Sequence, residues 1–155
     1  MTELAQKVGE ALKARGLRLV TAESCTGGWV AMALTAVAGS SDWFERGYVT
    51  YSNEAKREDL GVAEATLQRH GAVSEETARE MAAGALRKGR GQVALAITGV
   101  AGPTGGTPAK PVGMVCFAWT DGSKMTSQTK RFGGDREAVR RQSVVHALQE
   151  VLELL

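Results

Sequence analysis

The chain has little of several things, and each shortage removes a class of answer. Its two cysteines, Cys25 and Cys116, are too few for a disulfide framework and lack metal-ligand spacing, so reduced thiols and no metal are expected. Histidine occurs only at His70 and His146, which leaves scarcely any material for a histidine base. His70 sits in a turn before Gly71 and His146 lies mid-helix, so neither falls where a strand would present it to a cleft. No apolar run reaches the ~20 residues of a membrane helix. Met1-Thr2-Glu3-Leu4-Ala5-Gln6-Lys7 has no signal-peptide core, so no membrane partner and a cytoplasmic location are expected. A formal charge of +2 is too nearly balanced to argue for nucleic acid. The basic Arg87, Lys88 and Arg90 read as a solvated helix end.

What is present, 43% hydrophobic and 23% charged residues, fits one globular domain over residues 1–155. Leu4, Val8, Ala11 and Leu12 predict an amphipathic helix over 2–15, closed by Gly16. Strands are predicted at 17–22, 47–52 and 93–98. The last of these is apolar without alternation, as in a strand covered on both faces. Helices are predicted at 26–38 and 63–69, after Asn53 as a cap, after Ser74 as a cap, and after Asp135. The final helix has the stripe Val144, Leu148, Val151, Leu152 and Leu155. Asp121-Gly122 predicts a hairpin between 113–120 and 123–132 with antiparallel edge strands. The order predicts an α/β domain, a mixed and mostly parallel sheet with helices on both faces and an antiparallel hairpin. Trp29, Trp43, Phe44 and the apolar final helix offer contact surface for a homo-oligomer, dimer or higher.

The most informative stretch is Glu23-Ser24-Cys25-Thr26-Gly27-Gly28, where a strand ends in small polar residues and paired glycines and a helix begins. Such a junction gathers hydroxyl and N–H groups at one point, suited to an anion or a developing negative charge; an ordinary turn capped by Thr26 is the plainer reading. Ser24, Tyr51 and Thr98 each fall at a strand end, and in open α/β sheets the ligand crevice lies outside those ends. Ser24 needs a base. Lys56, five residues after Tyr51 in a first helical turn, fits a desolvated, neutral amine, and Tyr51 could relay the proton or donate to a substrate. Cys25 is the rival nucleophile, through a thiol pKa lowered at a helix N-terminus. The glycines match neither the nucleoside triphosphate nor the dinucleotide fingerprint, and Ala22 and Thr26 stand where a nucleophile elbow has glycine. Gly133-Gly134-Asp135-Arg136 opens the last helix, with Arg140 and Arg141 in its second turn, where an arginine could reach a phosphate. The loop Gly99–Pro111 is long for a compact domain, which suggests function.

Five segments together, Thr21–Gly28, Tyr51-Ser52-Asn53-Glu54-Ala55-Lys56, Gly71-Ala72-Val73-Ser74, Thr98-Gly99-Val100-Ala101-Gly102-Pro103 and Lys110-Pro111-Val112-Gly113, resemble the CinA C-terminal domain family over nearly the whole chain. The resemblance implies a three-layer α/β/α sandwich. It also implies amidase activity without a cofactor, hydrolysis of the carboxamide of nicotinamide mononucleotide (NMN) to nicotinate mononucleotide and ammonia in pyridine nucleotide salvage. It places the serine nucleophile on Ser24, its partners on Tyr51 and Lys56, a substrate-contacting threonine on Thr98, and an arginine of the last helix on Arg140, with Arg141 adjacent. Oxyanion donors are expected around Thr26 and Gly27 or at Gly99. Larger family members carry a further N-terminal domain, and its pyrophosphatase activity is not expected here. The segment Thr104–Lys110 departs most, which bears on substrate breadth. Two rival readings are a non-catalytic nucleotide-binding module linked to competence or DNA damage, and a structural subunit with Tyr51 and Lys56 buried in an interface.

Overall fold

Helix α1 (Thr2–Ala14) forms where Ala5, Val8 and Leu12 recur on one face, and all three are buried in the computed structural model, which describes residues 1–155. Strand β1 (Leu19–Glu23) follows and is buried at every position. Helix α2 (Trp29–Thr35) is shorter than the predicted 26–38, because Gly27 and Gly28 hold positive φ and the regular helix starts only after them. Strand β2 (Phe44–Val49) lies three residues earlier than predicted. Helix α3 (Asn53–Leu60) is capped not by Asn53 but by Ser52, whose Oγ accepts the Ala55 N–H. Helices α4 (Glu64–His70) and α5 (Glu75–Lys88) follow, the latter capped by Ser74 as predicted. Strands β3 (Val93–Gly99), β4 (Met114–Thr120) and β5 (Met125–Arg131) precede α6 (Arg136–Leu154), whose cap is Asp135.

The sheet order is β2-β1-β3-β4-β5. The pairings β1–β2 and β1–β3 are parallel, whereas β3–β4 and β4–β5 are antiparallel. The sheet is therefore mixed in equal parts by pairing, and only β5 of the hairpin is an edge. Strand β4 adds antiparallel to β3, so both its neighbours cover it, and six of its seven residues are buried.

Side chains sort by size across the sheet. Leu95, Ile97, Phe117 and Trp119 point to the layer of α1, α2 and α6. Ala22, Ala94, Ala96, Cys116 and Ala118 point to the layer of α3, α4 and α5, where Ala78, Ala82 and Ala85 of α5 meet them. Small residues on both sides bring α5 close to the sheet. No helix is long and apolar enough to cross a membrane. Much of the surface expected for self-association is used internally: Trp43, Val144, Leu148 and Val151 belong to the core, and Trp29 and Phe44 pack against it.

Candidate active site

The sheet order makes β2, β1 and β3 neighbours, so their carboxyl ends bring Ser24, Tyr51 and Thr98 to one place. A cleft of about 370 Å³ opens there, lined among others by Ser24, Tyr51, Lys56, Thr98, Thr104 and Arg136. Gly99 lines it as well, as does Gly105 from the long loop. That loop is tied down by Lys110, whose Nζ donates to the His70 carbonyl, and by the Gly113 N–H on the Val100 carbonyl at 2.8 Å.

Lys56 is 1% exposed, and its Nζ lies 3.0 Å from Ser24 Oγ, 2.9 Å from the Thr50 carbonyl and 3.1 Å from the Tyr51 carbonyl. No carboxylate bonds to it. Burial pushes its pKa below the ordinary lysine value. A neutral amine has two N–H donors and one lone pair, and this environment offers two carbonyls and one hydroxyl. In the neutral form the two carbonyls can take both N–H groups, and the lone pair then faces the Ser24 hydroxyl, whose oxygen also lies 3.5 Å from the Tyr51 carbonyl. The backbone does this work for Tyr51. Its side chain is 62% exposed, and its phenol oxygen accepts from Arg136 at 3.3 Å and bonds to neither Lys56 Nζ nor Ser24 Oγ.

Cys25 does not fit the nucleophile's role. Its thiol is buried among apolar side chains, and desolvation pushes its pKa up to about 12, which outweighs the turn's N–H groups. Neither histidine lines the cleft. His146 is packed edge-on against Phe117 and Trp119 with its pKa pushed down by burial, and His70 faces Glu76 at 3.8 Å.

The turn after Ser24 departs from expectation in detail. Thr26 does not cap α2 with its side chain; its hydroxyl donates to Glu23 Oε1 at 2.6 Å. Glu23 caps the helix instead, accepting the Val30 N–H at 2.8 Å and the Ala31 N–H at 3.1 Å. Sequence reasoning gave Glu23 no role, although a carboxylate at a strand end just before a helix is a recognisable signal. The Gly27 N–H is no free donor, because it bonds to the Ser24 carbonyl at 3.0 Å; the N–H groups of Cys25 and Thr26 donate to no other residue. Thr26 and Gly27 line an adjoining groove of about 610 Å³ rather than the Ser24 cleft, and Arg136 borders both.

Arg136 is the arginine that sequence reasoning passed over. Its guanidinium reaches the Gly102 carbonyl at 2.8 Å and the Tyr51 phenol across the cleft mouth. Arg140 is committed elsewhere, to the carbonyls of Cys25 at 3.0 Å and Thr26 at 3.2 Å. Arg141 pairs with Glu137 at 2.8 Å over the Trp29 ring. Thr98 lines the cleft with its hydroxyl donating to the Ala72 carbonyl at 2.8 Å, which leaves its lone pairs free to accept.

The sequence profile of the CinA C-terminal domain matches residues 1–155. The nicotinamide-nucleotide amidohydrolase PncC of Escherichia coli strain K12 is 56% identical over 150 residues, covering 96% of this chain and 91% of that protein. The protein of the same name from Pseudomonas putida is 53% identical over 154 residues, covering 99% and 96%. The crystal structure of the competence/damage inducible protein CihA from Agrobacterium tumefaciens superposes with a TM-score of 0.97 at 45% identity, covering 99% of this chain and 94% of that one. The chain belongs to the CinA C-terminal domain family.

Proposed function

We propose that this chain is a nicotinamide-nucleotide amidase that hydrolyses the carboxamide of NMN to nicotinate mononucleotide and ammonia. One observation carries the chemistry: a buried lysine amine, held by two backbone carbonyls and by no carboxylate, stands 3.0 Å from a serine hydroxyl in a cleft at the strand ends. The names of the PncC relatives supply the substrate.

In this reading neutral Lys56 takes the Ser24 proton and Oγ attacks the carboxamide carbon. The oxyanion is held by the N–H of Cys25, which lines the cleft and donates to no other residue. Collapse breaks the C–N bond, and the Lys56 ammonium returns its proton to the leaving nitrogen, which departs as ammonia. Lys56 then deprotonates a water that attacks the acyl-enzyme, releasing the carboxylic acid and restoring Ser24. Arg136, at the mouth between Tyr51 and Gly102, is assigned to the phosphate, with the Tyr51 phenol and the Thr98 hydroxyl as further polar contacts.

The test is ammonia release from NMN by the purified protein beside Ser24→Ala and Lys56→Ala. Turnover by the wild type, lost by about 100-fold or more in both variants, supports the reading. NMN that raises the melting temperature without ammonia release would favour the nucleotide-binding module.

A further inference from the structure

The turn after Ser24 is gripped from both sides by groups to which the mechanism above assigns no step. We propose that Glu23 and Arg140 form a clamp that positions the oxyanion-binding N–H of Cys25 in this turn, with Arg140 acting on peptide planes and not on the phosphate. The proposal rests on the amidase reading and assigns residues within the same site.

Glu23 is 1% exposed. A carboxylate stays in the interior only where hydrogen bonds replace its lost hydration. All three of its bonds, to the Thr26 hydroxyl and to the N–H groups of Val30 and Ala31, go to the turn and to the helix that the turn begins. From the other side, Arg140 Nε donates to the Cys25 carbonyl and Nη2 to the Thr26 carbonyl, while its guanidinium lies 5.5 Å from the centre of the Trp29 ring. The Ser24 carbonyl accepts the Gly27 N–H. Three successive carbonyl oxygens, of Ser24, Cys25 and Thr26, are therefore all held by donors.

In a trans peptide the C=O and N–H point opposite ways, so pinning those oxygens fixes where the next N–H groups point. The groups so fixed belong to Cys25, Thr26 and Gly27. Arg140 on the Thr26 carbonyl fixes the Gly27 N–H, which holds the Ser24 carbonyl and with it the N–H of Cys25, a residue that lines the Ser24 cleft and whose N–H donates to no other residue. Thr26 is held twice, by its hydroxyl on Glu23 and by its carbonyl on Arg140. The turn thus keeps the unpaired Cys25 donor in place before a substrate arrives, which is what transition-state stabilisation by fixed dipoles requires.

A phosphate ligand and a positioning residue differ in what they change. Steady-state rates of Arg140→Ala on NMN are measured beside calorimetric binding of NMN to Ser24→Ala with and without Arg140→Ala. Loss of the clamp in Arg140→Ala is expected to lower kcat by roughly 10- to 100-fold, with KM, the dissociation constant and the melting temperature nearly unchanged, since the lost interaction acts only in the transition state. Free guanidinium ion is expected to restore part of that kcat. Glu23→Gln is expected to show the same split, and Arg140→Ala, being only half-buried, keeps the test open if Glu23→Gln fails to fold. Binding weakened 10-fold or more with kcat retained would make Arg140 a phosphate ligand and overturn the clamp. No change in either quantity would overturn it as well. A wild type that releases no ammonia from NMN rejects the amidase reading, and the clamp falls with it.

Discussion

Lys56 has three polar neighbours and not one of them is a carboxylate. Water is excluded, so the ammonium form loses hydration that no opposite charge replaces, and the pKa falls. The sign for activity follows. A general base works when neutral, so kcat/KM is expected to rise with pH through the lowered pKa of Lys56 and to fall about 10-fold per pH unit below it. A pH–rate profile checks this, and one that is flat from acid to alkaline pH would count against Lys56. Folding stability moves the same way, rising with pH between the folded and the unfolded lysine pKa, because there only the unfolded chain binds the proton. Lys56→Arg keeps a cation that does not deprotonate in proteins, so it is expected to lose activity by about 100-fold or more at every pH. Cys25 is the control at this scale. Both thiols are buried, and that of Cys25 is raised to about 12, so iodoacetamide is expected to leave the native enzyme active and unlabelled while labelling both cysteines after denaturation. Mass spectrometry before and after denaturation reads the outcome.

At the scale of elements, the lysine owes its position to the packing of α3 on α5. Gly84 makes that approach possible: a Cβ there would stand 1.9 Å from the Leu60 carbonyl oxygen. Gly84→Ala must push the two helices apart, and α3 carries Lys56 one turn before Leu60. The expected cost is about 1–3 kcal/mol of stability, read as a lowered melting temperature. Activity is expected to fall further than partial unfolding explains, because an amine displaced by about 1 Å is misaligned with Ser24. The sequence showed the site better than its supports. Ser24 and Lys56 stand out because a serine at a strand end needs a base and histidine is scarce. Ser74 and Asp135 cap their helices as read, because a hydroxyl or carboxylate followed by a periodic apolar run is a local signal. The rest depends on tertiary contacts. Local pattern does not reveal that β4 adds antiparallel to β3 and leaves only β5 of its hairpin at the edge. Nor does it reveal that Glu23 caps α2 from the preceding strand, that Arg136 reaches the cleft while Arg140 turns to carbonyls, or that Gly84 faces a backbone oxygen. Each of these requires two elements distant in the chain to be placed side by side.

The whole molecule has two apolar layers separated by one sheet, and the site lies at the carboxyl ends of strands that both layers hold. The layer of α1, α2 and α6 contains 21 buried residues and that of α3, α4 and α5 contains 13. The two layers share strands β1, β3 and β4, which send alternate side chains into each. A layer cannot come apart without uncovering strands that the other needs, so we expect the chain to unfold as a single cooperative unit. The tryptophans allow a sharp test, since Trp43 and Trp119 lie in the first layer and Trp29 packs against it. Met81 belongs to the second layer and is fully buried on the opposite face of the sheet. Met81→Ala is expected to cost about 2–5 kcal/mol. If the layers unfold together, tryptophan fluorescence and far-ultraviolet circular dichroism should shift to the same lower midpoint, although no tryptophan lies on the altered side. Thermal scans with both probes decide between the possibilities. Coincident shifts make the sheet a shared mechanical element. A circular dichroism midpoint that falls while fluorescence stays would mean that the layers unfold separately. The Ser24–Lys56 pair, with the serine just past β1 and the lysine on α3 in the smaller layer, would then be lost before the larger core melts.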